Sequence, residues 1–466
     1  MKRVLFFGLI FFSNNAFALS LDEYLSQTKE QNFGYAASNQ SILSADLLSK
    51  KSFLLTSPSL FVDATKGFQE QNKAVAFVKY RQLDTQNYSL GIEQNFSFGL
   101  NSKFYYNVNR SEYQGLTSTS IAPVNYETSP VVDLTMPLWQ GALGAQIKAN
   151  TNLTYYKNQA ERFNAQMNST SFLVDAERLY WQLVISKKIV EISNEALFQS
   201  EKILQLATRK AQMNLGEKSD VLQAKADVES KKLQLKQAKN DLKIVTRNFN
   251  QKRHSNSDVI DEKLDEINFD KLEKLSIKKD VQGIRADVKS AFSSSQAAVA
   301  AAKIEEENNK PKLDLSGHYA FNGLEHNRPN AIASSLDRNG EEGYVGIKFS
   351  MPLAIGLQSD IKKGAKFSAS SARKNYAQKV FDQDNDWQNL LQNLQDYQEN
   401  LQLSRKIEDL QKSKLENERN LLKQGRTSTY QILLFEQDYN RARIDTVKTA
   451  YQLLSLVAEK KLYGDQ

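Results

Sequence analysis

Residues 211–226, AQMNLGEKSDVLQAKA, and residues 420–435, NLLKQGRTSTYQILLF, share one design. In each, a long periodic run of charged and apolar residues reaches a lone glycine, Gly216 or Gly425, crosses a polar segment containing Ser219 or Ser428, and resumes an apolar pattern. This reads as a helix-to-helix reversal, because glycine enters the left-handed cap conformation without the steric cost of a Cβ. Upstream, Met136-Pro137-Leu138 lies 80 residues before Gly216, and Met351-Pro352-Leu353 lies 74 before Gly425. Two marks in the same order at nearly the same separation predict an internal duplication.

The runs that lead to the glycines are long. No proline occurs between Gly144 and Pro311, no glycine between Gly144 and Gly216, and nothing interrupts 365–424. Helices of some 60 to 70 residues would rise roughly 90 to 105 Å, far beyond an ordinary globular helix. Within the first, Ala176, Leu183, Val190, Leu197, Leu204 and Ala211 recur every seven residues, with mostly small companions at Leu179, Ser186, Ser193, Ser200 and Ala207. In the second, Leu394, Leu401, Leu415 and Leu422 keep the period and Glu408 interrupts it, as a solvent- or lumen-facing site or a shift of register. A strict heptad predicts side-by-side helices with a left-handed supercoil, approaching closely at the small residues.

Short segments of another kind precede the long runs. Leu21 to Leu55 is helical in pattern and Pro58 stops it; 59–68, SLFVDATKGF, alternates as a strand. Tyr88 to Tyr113 reads as an aromatic and asparagine-rich hairpin around Gly99, 117–130 as a polar connection, and 130–139, PVVDLTMPLW, as a further strand. The second half repeats this more briefly, with strands at 311–321 and 344–354 joined by a polar loop up to Gly343. Residues 251–275 are charged and aperiodic, which fits a connector with a short helix packed outside a bundle, and helical pattern resumes at 278–307.

At the start, Lys2 and Arg3 precede the apolar run Val4 to Phe12, and Ala16-Phe17-Ala18 offers a cleavage site, so 1–18 is expected to be a secretory signal and Leu19 the first mature residue. Without it the basic residues fall from 61 to 59 against 54 acidic ones, a modest excess that does not argue for nucleic acid. The chain has no cysteine, which excludes disulfides and thiolate metal sites, and its three histidines, His254, His318 and His326, are too scattered for a histidine cluster.

The chain resembles the TolC-like outer membrane efflux proteins of Gram-negative bacteria over essentially all of its mature length. The resemblance rests on two units of strand, Pro-Leu, long helix, glycine tip and return helix, and is most specific at 423–442, KQGRTSTYQILLFEQDYNRA. It implies a mixed fold: a homotrimer whose copies each give four strands to one β-barrel of about twelve, joined to a helical barrel of roughly 100 Å in the periplasm. The four strands would be 59–68, 130–138, 312–320 and 344–352. The hairpin at 88–113 is left over; it extends the barrel outward, replaces part of the first strand, or packs as a long loop. The organisation expected is a first repeat at 19–250, a connector at 251–275 and a second repeat at 276–466.

The resemblance also implies a function: a passive exit duct of a tripartite efflux or type I secretion system, docked to a periplasmic adaptor and through it to an inner-membrane transporter. Leu215, Gly216, Ser219, Gln424, Gly425 and Ser428 are the expected tip turns and adaptor contacts. Glu217, Asp220, Lys423, Arg426, Gln431 and Leu434 are candidates for the aperture. Gln431 and Leu434 stand where the family often has aspartates, so an acidic ring there is not expected. Asp220 either faces the pore or, like Ser219, caps the returning helix; Lys423 and Arg426 either pair with Asp220 or Glu217 or stay solvated. No catalytic constellation, metal site or cofactor is expected. The competing reading is a periplasmic coiled-coil scaffold or adaptor, which leaves the proline-bounded strands unexplained.

Overall fold

The computed structural model describes residues 18–70, 80–117, 122–276, 283–337 and 340–464. Apart from Ala18, the expected signal segment lies outside them, as does the start of the helix expected from 278. In chain order the elements are β1 (Ala18–Leu19), α1 (Leu21–Gln31), α2 (Phe33–Ser49), α3 (Lys51–Leu54), β2 (Ser59–Glu70), β3 (Gln82–Asn95), β4 (Asn101–Gln114), β5 (Val124–Pro137), α4 (Ala145–Gln212) and α5 (Lys218–Lys252). There follow β6 (Lys263–Leu264), α6 (Phe269–Glu273), α7 (Ala286–Asn308), β7 (Lys312–Phe321), β8 (Gly323–Glu325), α8 (Arg328–Leu336), β9 (Glu341–Ser350), α9 (Ile355–Lys423) and α10 (Thr429–Lys460). They form two compact units, one drawn from 1–42, 163–288 and 380–466, the other from 43–162 and 289–379. Both take segments from each half of the sequence.

The first unit is helical. Helices α4 and α9, of 68 and 69 residues, pass through it and rise about 100 Å along their paths. The α9 heptad is buried as its spacing predicts, with Leu394, Leu401, Leu415 and Leu422 all in the core. In α4 the seam drifts: Ala176 and Leu183 are buried, but further along Ile192, Ser193, Ala196, Ser200, Ile203 and Ala207 take over, while Leu197 and Leu204 lie half-buried. An α-helix turns every 3.6 residues rather than 3.5, so a leucine row that starts in the core rotates out of it. Tyr24 stacks on Phe249 at 4.0 Å between ring centres, and the Tyr180 hydroxyl donates to the Leu19 carbonyl at 2.8 Å while accepting from the Asp265 amide at 2.9 Å. The connector holds β6, which pairs in parallel with β1, and α6, which lays Leu272 into the core beside Leu401 and Leu453.

The second unit is built on one sheet with the strand path β2-β3-β4-β5-β7-β9 and β8 paired to β5. The hairpin that the sequence left unplaced is not a packed loop. It is β3 and β4, inserted between β2 and β5, with Leu60 opposite Ile92, Ile92 opposite Phe104 and Phe104 opposite Val132. The polar connection expected at 117–130 is also shorter, because β5 begins at Val124 and pairs with the outer end of β4. The loop expected before Gly343 contains β8 and α8; Asn327 caps α8 by accepting from the Asn330 amide, and Pro329 sits in its first turn. Gly323 lies so close under α8 that a Cβ there would meet the Ala331 carbonyl at 2.1 Å.

The corner between β5 and α4 explains why the inserted hairpin is fixed. Gly141 and Gly144 have φ of 74° and 75°, and an added Cβ on Gly144 would meet the Ser97 carbonyl oxygen at 1.9 Å. The β3–β4 turn, closed by the Phe96 and Leu100 backbones, is thus seated against the strand-to-helix corner. Behind it, Glu307 is buried and accepts from the Gly141 amide at 3.1 Å and from Lys310 at 2.7 Å. Among the described residues, no helix is long and apolar enough to cross a membrane.

Candidate functional site

The two reversals lie in the helical unit and are built alike. At the second, the Arg426 amide donates to the Leu421 carbonyl at 2.9 Å and the Gly425 amide to Leu422 at 3.1 Å, with Gly425 at φ 75°. That pair of bonds is a Schellman cap with Gly425 in the left-handed position. At the first, the Leu215 amide donates to Lys210 at 2.8 Å and the Asn214 amide to Ala211 at 3.1 Å, with Asn214 at φ 59°. The left-handed residue is therefore Asn214 and not Gly216; asparagine tolerates that region better than most side chains. Gly216 serves a different need, since a Cβ on it would stand 3.0 Å from Lys210 Cβ and 3.3 Å from the Ala211 nitrogen.

This shifts the correspondence by two residues. Asn214 matches Gly425, and the residue that starts the returning helix is Glu217 at the first tip and Ser428 at the second. Ser428 caps as expected, accepting from the Gln431 amide at 3.2 Å. Neither Ser219 nor Asp220 caps α5: Ser219 donates to the Glu217 carboxylate at 2.9 Å, and the Asp220 amide donates to the Glu217 carbonyl.

Among the described residues Lys423 and Arg426 are exposed and form no ion pair with Asp220 or Glu217 within this chain, and the ion pairs near the tips are others. Arg419 reaches across from α9 with two nitrogens on one oxygen of Glu436, at 2.6 and 3.0 Å. Burial pushes the Glu436 carboxyl above its usual value, against the pull of Arg419. Nearby, Ser200 donates to Asp227 at 2.6 Å, Lys231 is buried 4.0 Å from the same carboxylate, and Thr427 donates to Glu418. These polar contacts flank an apolar cluster of Ile203, Ala207, Ala224, Leu415, Leu422, Ile432 and Leu433, which draws on α4, α5, α9 and α10 together.

What the tips present outward is apolar and basic. Leu215 and Met213 are 75% and 67% exposed, Tyr430 is exposed, and Lys423, Gln424, Gly425 and Arg426 are all on the surface. Leu434 is partly exposed and Gln431 half-buried. Among the described residues, no group of three histidine, cysteine, aspartate or glutamate side chains is placed to hold a metal ion. Sequence reasoning passed over Asn214, Met213 and Tyr430, and the Arg419–Glu436 pair; the signal for the last was an arginine one turn before and a glutamate two turns after the second reversal.

No family model matches the sequence, and no curated protein sequence matches it. Solved structures do. The outer-membrane channel OprN superimposes with a TM-score of 0.65 at 16% identity, over 96% of this chain and 90% of that one. The outer membrane protein VceC from Vibrio cholerae gives 0.64 at 14% identity, over 95% and 96%. The MtrE outer membrane channel of Neisseria gonorrhoeae, in its open state, gives 0.63 at 14% identity, over 95% and 89%. The chain thus has, nearly end to end, the fold of outer-membrane channels.

Proposed function

We propose that a chain with this fold is the passive exit duct of a tripartite efflux or type I secretion system, and a member of the TolC-like family. Three copies close their sheets into one barrel in the outer membrane, and their long helices line a tunnel in the periplasm. The observation that supports this most is the sheet itself. One face carries Leu60, Val62, Leu90, Ile92, Phe104, Leu134, Val345 and Ile347, all exposed, and both of its outermost strands, β2 and β9, have an open edge among the described residues. Lipid tolerates such strands only when every backbone group is paired, which requires further copies of the same sheet. A periplasmic scaffold has no use for that face.

The two repeats, 19–250 and 276–466 around the connector, each end one helical hairpin, and we assign the tips to the adaptor. Leu215, Gly216, Gln424 and Gly425, with Met213 and Tyr430, form a largely apolar docking surface, and the aperture falls to Glu217, Asp220, Lys423 and Arg426. Energy for transport comes from the inner-membrane partner. Purified protein in a planar lipid bilayer should give stable single-channel currents, and Leu215→Asp should abolish in vivo crosslinking to the adaptor while leaving those currents intact. A preparation that inserts without conducting would remove the duct reading.

A further inference from the structure

The wall that each copy gives to the barrel is wider than the resemblance implies. Hairpin β3–β4 has three properties of a membrane wall rather than of an appendage. Its strands are 14 residues each, above the roughly 9 to 11 that a tilted membrane strand requires. It is paired along its length on both sides, to β2 from Ser59↔Glu93 to Glu70↔Gln82 and to β5 from Asn101↔Thr135 to Glu112↔Val124. Its turn is seated at the strand-to-helix corner, where Gly144 admits the Ser97 carbonyl, so the hairpin starts at the same level as the strands beside it.

The two faces of the sheet differ in composition. One cross-strand row reads Leu60, Ile92, Phe104, Val132 and Tyr319, apolar or aromatic from β2 through β7. The row beneath it, on the same face, reads Val62, Leu90, Tyr106 and Pro130. The opposite face carries one apolar and aromatic row, Phe61, Gly91, Tyr105, Val131 and Ala320, and is polar on either side of it: Glu93 pairs with Lys103 at 3.3 Å, Ser89 donates to Asn107 at 2.9 Å, and Asp133 contacts His318 at 2.5 Å. A hairpin standing in water above a membrane has no reason to continue an apolar band whose register is set by its neighbours.

We infer that β3 and β4 are lipid-facing barrel strands, so that each copy contributes six strands to the pore rather than four. This rests on the channel reading above. Neighbouring strands lie about 4.8 Å apart, so the insertion widens each copy's arc by about 10 Å. Three copies make a barrel of about eighteen strands and a diameter roughly half as large again, in the range where barrels leave an open aqueous channel. The outer-membrane end then does not sieve cargo, and selection by size falls to the helical tips. The partner that completes the wall is a second copy of this chain, whose β2 edge meets the free edge of β9.

Because the chain has no cysteine, single cysteines report one position at a time. Bimane-labelled Ile92→Cys and Phe104→Cys, reconstituted in vesicles of brominated phosphatidylcholine, should be quenched as strongly as the same label at Leu60→Cys and Ile347→Cys. Ser89→Cys and Asn107→Cys should instead react with a membrane-impermeant maleimide. Quenching at Leu60 and Ile347 without quenching at Ile92 and Phe104 would overturn the six-strand wall and leave the channel reading standing. Absence of quenching at all four would overturn both. A variant lacking 82–114 sets Leu60 beside Val132 in the same facing, and is expected to assemble with a narrower barrel in electron micrographs; an unchanged barrel diameter would likewise overturn the inference.

Discussion

Replacing Gly425 by valine isolates the one left-handed glycine at the tips. Its φ is 75° and nothing lies within 4 Å of where a Cβ would stand, so the cost is conformational and not a clash. A non-glycine residue in that region costs about 1 to 2 kcal/mol, and a β-branched one belongs at the upper end. The loss is local, because the buried leucines of α9 are untouched by a change at the exposed turn. It should appear as easier opening of the cap formed by the 425 and 426 amides. A loss of about 1 to 2 kcal/mol corresponds to roughly a 5- to 30-fold drop in hydrogen-exchange protection there. Global unfolding of the assembly should move little. Gly425→Asn is the internal control, since Asn214 occupies the equivalent position at φ 59°, and it should lose less protection than valine. Equal protection in parent and valine variant would refute the left-handed cap at 425.

Three further outcomes follow from packing and charge. Leu401→Ala, at a fully buried heptad position, should destabilise by about 2 to 5 kcal/mol in denaturant titration, whereas Leu410→Ala, on an exposed face in one copy, should act only through assembly. Gly144→Val adds a Cβ at a left-handed φ and against the Ser97 carbonyl, so heat-resistant assemblies in membrane fractions should be lost, while Gly356→Val, with open space around it, should retain them. Glu436 keeps its proton in the folded state to a higher pH than in the unfolded chain, whose ordinary value is 4.5. Its contribution to stability is therefore full below that value and is lost as pH rises through the folded one, and Glu436→Gln should flatten the pH slope of stability in that window.

Much of the fold was legible because its periods are long. Leucines at 394, 401, 415 and 422 specified a buried seam over many turns, and no single residue could obscure it. In α4 the small companions Ser193, Ser200 and Ala207 are buried as their spacing predicts, where small side chains let helices meet, and only the leading row was misread after Leu183, because leucine looks more like core than serine. The tips were read two residues out of register because a glycine followed three positions later by a serine occurs in both, and glycine is the expected left-handed residue. Asn214 performs that role at the first tip, and only the pattern of amide bonds reveals it. Hairpin β3–β4 was recognised as strands but not placed in the sheet between β2 and β5. One of its faces is so rich in asparagine and serine that the apolar alternation, Tyr88, Leu90 and Ile92, stands out only when set beside Leu60 and Val132. Helix α8 did have a signal, Asn327 before Pro329, but its nine residues are too few for a hydrophobic period to register.

The proposed duct requires several copies of this chain to close one sheet through a membrane, and electron cryomicroscopy of the protein extracted from outer membranes in mild detergent shows whether they do. A three-fold assembly is expected, in which β9 of one copy pairs with β2 of the next and no strand edge is left open; single copies, or assemblies whose sheets end in unpaired β2 and β9, would overturn the duct.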